Sequence, residues 1–241
     1  MKFNGIDLKD VHEGLSIEKE IPPGTAGHVI ETIKTAGGEV VTDDRIEAGE
    51  YIVRVNIAGA KESDGLEIRE KLAAWAFTPG VETAELIPTH APDKCYDAKL
   101  KSISAPEFIF GFAKVEVRFL LPRPVMRGTN LRISSGIYIN TEIKGTYECR
   151  PMIRQTLNAA QNGLVWKKAN VPFLTLTGQF GDGDTVIMDT AKESLTINGK
   201  HAENRIDITG TEWRPGWWPG GTAITSDAYG NMRMEWHDEW L

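Results

Sequence analysis

Hydrophobic residues recur with a period of two along much of this chain. The cleanest run ends residues 104–124, SAPEFIFGFAKVEVRFLLPRP. Val115, Val117, Phe119 and Leu121 alternate there with Lys114, Glu116 and Arg118, the pattern of a strand with one buried and one wet face. Pro122 and Pro124 cannot donate ladder hydrogen bonds, so the strand must stop. Residues 51–57, YIVRVNI, alternate in the same way. Residues 63–77 break the pattern. Ile68, Leu72, Trp75 and Ala76 fall at i, i+4, i+7 and i+8, which predicts one amphipathic helix. Asp64 and Glu67 have capping-box spacing, and Thr78-Pro79-Gly80 stops the helix. So short a helix must dock on a sheet to be stable.

The remaining elements are shorter. Residues 1–41 predict short strands around Pro22-Pro23-Gly24 and Gly37-Gly38. Residues 85–87 and 95–103 follow the helix as strands. The second of these pairs with a strand over 108–121 across a turn at 104–107. Beyond Pro122 turn signals become denser. Strands are expected at 145–157, 172–177, 185–188, 194–197, 204–208, 222–225 and 232–236, with Asn198-Gly199 as a hairpin turn between 194–197 and 204–208. In the last strand Met232, Met234 and Trp236 share a face. Many short strands with glycine turns indicate an all-β sandwich.

Several of these motifs, in this order, resemble the distal tail proteins of long-tailed bacteriophages. The chain opens MKFNGID, passes an IPPG turn at residues 21–24, carries one helix, and closes its first half on FGFAKVEVRFLLPRP. GTYECRPMI, GDGDTVIMD, SLTINGK and MEWHDEWL follow. The resemblance implies a mainly β protein of two domains. Residues 1–124 would form a ring-forming β-sandwich with one α-helix, and 125–241 a galectin-like β-sandwich. It also implies a structural virion protein whose six copies form a ring at the tail tip. That ring would join the tail tube protein to the tail-tip hub and baseplate and let DNA pass. A receptor-binding protein or tail fibre is a further partner in some relatives, whose second domains carry insertions that this short chain is expected to lack. Assembly would take place in the host cytoplasm.

Composition narrows the alternatives. Lys plus Arg number 27 and Asp plus Glu 34, a net charge of −7, with no basic run, so sequence-independent nucleic-acid binding is not expected. No apolar stretch is long enough for a membrane helix, and the first twenty residues lack the apolar core of a signal peptide. The two cysteines, Cys95 and Cys149, are expected as free structural thiols.

Four clusters are candidates for chemistry. Gly181-Asp182-Gly183-Asp184 with Asp189 could open a calcium loop, but lacks regular ligand spacing and a terminal Glu; a tight turn explains it better. His90 and Cys95 could form a nucleophile pair, and His237-Asp238-Glu239 could offer carboxylates to a glycosidase. A loop entering a strand and a solvated face are the expected readings. Trp213, Trp217 and Trp218 have the best functional claim, as stacking faces for a sugar, but a core plug at the open end of the sandwich or a subunit contact is the expected reading. The expectation is thus no catalysis, no cofactor and no metal. A carbohydrate-binding β-sandwich is the alternative.

Overall fold

A computed structural model of the chain describes residues 1–24, 27–35, 38–58, 61, 64–209 and 216–241. The protein is mainly β with one α-helix, as the periodicity indicates, and separates into two compact units. Met1–Arg127 with Leu241 form the first, and Gly128–Trp240 the second.

The main sheet of the first unit is antiparallel. Its order is Ile6–Asp7, Lys2–Phe3, Ala84–Ile87, Lys94–Ile103, Phe112–Leu121, Gly49–Ala58 and Leu15–Ile21. Phe112–Leu121 and Gly49–Ala58 pair along their whole length. Tyr51, Val53, Val55, Ile57 and Val117, Phe119, Leu121 therefore line one fully buried face. The helix, Gly65–Ala76, lays Ile68, Leu72, Trp75 and Ala76 on that face. Trp75 meets Phe3 and Phe119 edge-on, each at 5.9 Å between ring centroids. Its Nε1 donates to the Ile6 carbonyl at 3.2 Å. The helix is thus held by apolar burial and one satisfied indole.

Two local expectations fail here. Asp64 is the N-cap residue but makes no side-chain cap; its carboxylate accepts from the Lys61 N–H instead. Ser63, where the helix was expected to start, lies outside the described residues, as does Gly37. The strand expected over 108–121 is two strands, Glu107–Ile109 and Phe112–Leu121, which fold onto each other about Phe110-Gly111. Lys94–Ile103 still pairs with the second half of Phe112–Leu121. His28–Thr35 and Gly38–Ile46 form a separate two-stranded sheet.

The second unit holds two antiparallel sheets around one core. One runs Arg132–Gly136, Gly230–Trp236, Met152–Leu157, Thr185–Asp189, Ser194–Ile197, Lys200–His201; the other Ile139–Ile143, Gly220–Ser226, Gln161–Lys168, Val171–Phe180. Met232, Met234 and Trp236 are buried together, as their alternation requires. A buried polar group is built into this core. Gln155 accepts from Trp166 Nε1 at 2.6 Å and donates to the Ala228 carbonyl at 3.2 Å, so its burial leaves no unmet amide.

The strand expected over 145–157 begins only at Met152. Residues 145 and 147 make isolated bridges to Glu239. Gly145 sits so close that a Cβ there would lie 2.0 Å from the Glu239 carbonyl oxygen. No strand forms at 204–208 either. The Asn198-Gly199 turn, with φ of 53° and 75°, returns the chain as Lys200–His201, and a 3-10 turn follows at Glu203–Arg205.

Candidate assembly surfaces

Leu15–Ile21 ends the main sheet of the first unit, with Gly49–Ala58 its only partner among the described strands. Its other side therefore presents unpaired backbone groups. It borders a groove of about 840 Å³, walled by this strand, the chain start and residues 87–90, with Leu15, Ile17, Ile87 and Pro88 among its apolar residues. Glu20 crosses from this strand to the facing loop. It accepts from the Thr89 N–H at 3.1 Å, from Thr89 Oγ1 at 2.6 Å and from the Tyr51 hydroxyl at 2.8 Å. Burial works against the Glu20 charge, but these hydrogen bonds outweigh it and hold the carboxyl below the ordinary range. Burial, and then the hydrogen bond given to Glu20 and the charge of its carboxylate, push the Tyr51 phenol far up.

The sheet face opposite the helix carries charges of both signs. Glu116 receives Arg54 at 3.1 Å and Arg118 at 2.6 Å, while Lys114 reaches Glu18 at 3.1 Å and Lys101 meets Glu50. These pairs are partly exposed, so water and salt screen them and each contributes little to stability. They neutralise the face rather than leaving it basic.

The residues singled out in the sequence are placed as follows. Trp217 is buried, edge-on to Phe173 at 5.5 Å, with Lys168 Nζ 4.7 Å from its ring centroid. Trp218 is 54% exposed and edge-on to Tyr147 at 5.8 Å. Trp213 lies outside the described residues. The tryptophans thus split between core and surface. Asp184 accepts from the Gly181 N–H at 2.7 Å and from Asn198 Nδ2 at 2.8 Å, and Asp189 accepts from the N–H groups of Ala191 and Lys192. Both carboxylates close turns. Among the described residues, no group of three His, Cys, Asp or Glu side chains is placed to hold a metal.

His90 Nδ1 lies 3.4 Å from Glu20, whereas Cys95 is wholly buried. Both cysteines are free. Burial pushes the Cys95 thiol up to about 11 and, with nearby carboxylates adding, the Cys149 thiol up to about 12. Neither is an activated nucleophile.

The closing HDE motif is not the solvated face its position suggests. Asp238 is only 3% and Glu239 6% exposed. Asp238 accepts from the Lys144 N–H at 2.9 Å, Trp236 Nε1 at 3.1 Å and Arg132 Nε at 3.1 Å. His237 Nδ1 donates to the Gly128 carbonyl at 2.7 Å. These bonds tie the end of the second unit to its beginning. Sequence reading missed this clasp because its partners lie about a hundred residues away.

Residues 144–240 match the family of siphovirus-type tail components, C-terminal domain. No curated protein sequence matches the chain. Among solved structures, the whole chain superposes on the Dit protein of phage SPP1, described as a hub of the adsorption apparatus in phages that infect Gram-positive hosts. That match covers 100% of this chain and 98% of the other, with a TM-score of 0.75 at 16% identity. Two structures of the phage p2 baseplate, in its activated conformation with Ca or Sr, each cover 93% of this chain and 90% of the other. Their TM-scores of 0.41 and 0.43, at 10% and 9% identity, are too low to bear on the fold. The second unit thus matches a siphovirus-type tail-component domain, and the whole chain shares the fold of the SPP1 Dit protein.

Proposed function

We propose that the protein is a structural hub of a phage tail tip whose copies form a ring through the first unit, six to a ring. The carrying observation is the open edge at Leu15–Ile21 beside its groove. An unpaired edge of seven residues is an aggregation hazard unless something covers it, and a ring neighbour does so. The separate hairpin His28–Ile46 supports the same reading, because a two-stranded sheet alone is marginal in water. A head-to-tail contact whose rotation closes gives a ring. Such a ring would join the tail tube protein to the tail-tip hub around a channel for DNA. The galectin-like second domain would hold a receptor-binding protein or tail fibre. No catalysis is needed, and the carboxylates and thiols described above are occupied structurally.

Native mass spectrometry of the full chain over rising concentration tests this. A six-copy species is expected. A chain that stays monomeric at high concentration and also ignores the tail tube protein would defeat the ring. A second reading, carbohydrate binding, is favoured only by the exposed Trp218, edge-on to the half-buried Tyr147. A glycan screen in which Trp218→Ala abolishes a hit would favour it.

A further inference from the structure

The larger sheet of the second unit sets two arginines against each other on its outer face. Arg154 and Arg233 are direct cross-strand partners in the pairing of Met152–Leu157 with Gly230–Trp236. Their Cα atoms are therefore about 5 Å apart. Ile153, Gln155, Met232 and Met234 are buried in the core, so the two arginines, alternating with them, point away from it. Like charges opposed in this way weaken a strand pair. Arg154 is exposed and makes no ion pair or hydrogen bond among the described residues. Arg233 has Nε 2.6 Å from Glu235 Oε1, a charge contact without hydrogen-bond geometry, so this buried Nε has no acceptor. Both guanidinium groups keep donors to spare.

Apolar side chains surround the pair. Ile187 is the partner of Arg154 on its other side. In the next row of the same face, Ile133 and Met152 flank Glu235. Ile133 is 50% exposed, and Ile187 and Met152 are half-buried. Opposed arginines and apolar side chains open to water both work against the free chain. Local rules broken twice at one place mark a functional surface. Arginine and methionine are also enriched at protein interfaces. A carboxylate complements the free guanidinium, because it can accept two parallel N–H donors. A nucleic acid does not, since Glu235 and Asp189 stand in the neighbouring row and would repel a run of phosphates.

We propose that this face docks a partner protein through an acidic, apolar segment. Its carboxylate lies against Arg154 and Arg233, and its apolar side chains cover Ile133, Met152 and Ile187. The inference rests on the reading that the second unit holds a further tail protein, and it supplies the surface and the chemistry. The probe is poly(Glu,Tyr), a random copolymer of an acidic and an aromatic residue, titrated into the full chain by isothermal calorimetry. Heparin, a polyanion without such side chains, is the comparison. The copolymer should bind, and heparin should bind at least about 10-fold more weakly. Arg154→Gln should weaken the copolymer about 10-fold or more through loss of a charge-assisted hydrogen bond, and Arg233→Gln should do the same. Arg154→Gln should also melt no lower than wild type, because it removes a like-charge pair from the sheet. A residue that merely held the fold would not combine weaker binding with undiminished stability.

A wild-type chain that ignores the copolymer, or variants that bind it as wild type does, would overturn this docking face. Either result leaves the tail-protein reading standing, since that reading needs no acidic segment. Heparin bound as tightly as the copolymer would make the face a general polyanion site and overturn a protein partner. A lower melting point for Arg154→Gln would make Arg154 a structural residue and refute its role in docking. A tail whose second units carry no other protein, seen by electron microscopy, would overturn the tail-protein reading and this face together.

Discussion

Trp236→Ala should unfold the second unit selectively. The side chain is 4% exposed, shares its face with Met232 and Met234, and gives its Nε1–H to Asp238. Removing a buried tryptophan costs about 3–5 kcal/mol from transfer and cavity terms. In a domain of roughly a hundred residues, 1 kcal/mol moves the midpoint by about 4 °C or more, so a fall of roughly 12–20 °C is expected. Trp236→Phe separates the two contributions. It keeps most of the packing but removes one donor, while Asp238 retains Lys144 and Arg132. That should cost about 1–2 kcal/mol. Differential scanning calorimetry is the assay. Because the two cores are distinct, the first unit's transition should stay in place while the second shifts, more for Ala than for Phe. An unshifted scan, or equal shifts for both variants, would refute the packing argument.

Asp238→Ala should also lower the second transition, by about 1–3 kcal/mol, because the buried Trp236 Nε1 and the part-buried Lys144 N–H lose their acceptor; an unchanged urea midpoint would contradict the clasp. Glu20 sets an acid limit for the first unit. Its carboxyl is depressed in the folded state, so its contribution is complete above the unfolded carboxylate value of about 4.3 and disappears as pH falls through the lower folded value. The first transition should therefore fall below about pH 4, and less steeply in Glu20→Gln; identical pH profiles would count against the Thr89–Tyr51 network. Cys95 and Cys149, raised to about 11 and about 12, should resist a thiol reagent at pH 8 until the chain unfolds, and rapid labelling of the native protein would show one of them to be accessible.

Strands with clean alternation were legible from sequence, because burial of one face writes itself every second residue. Residues 51–57, 115–121 and 232–236 belong to this class, and the helix stripe was legible for the same reason at a different period. Gln161–Lys168 was not. Gly163, at φ +80°, and a register shift between Asn162 and Leu164 break its alternation. Arg132–Gly136 was missed because an edge strand with Ile133 half exposed shows no apolar face. The turn at Phe110-Gly111 was hidden by apolar residues on both sides, which read as one continuous strand. Trp217 and Trp218 are adjacent and identical in type, yet one is core and the other surface. Asp238 looked solvated because its donors, Lys144 and Arg132, are distant in the chain.

The ring itself is tested most directly by electron microscopy of the purified full chain at high concentration, taken to a three-dimensional map. The expected result is a closed ring of six copies with an open centre. Its contacts should run through Met1–Arg127, and the Leu15–Ile21 edge should be covered by a neighbour. A map of separate copies, an open filament, or a ring joined only through Gly128–Trp240 would contradict the account.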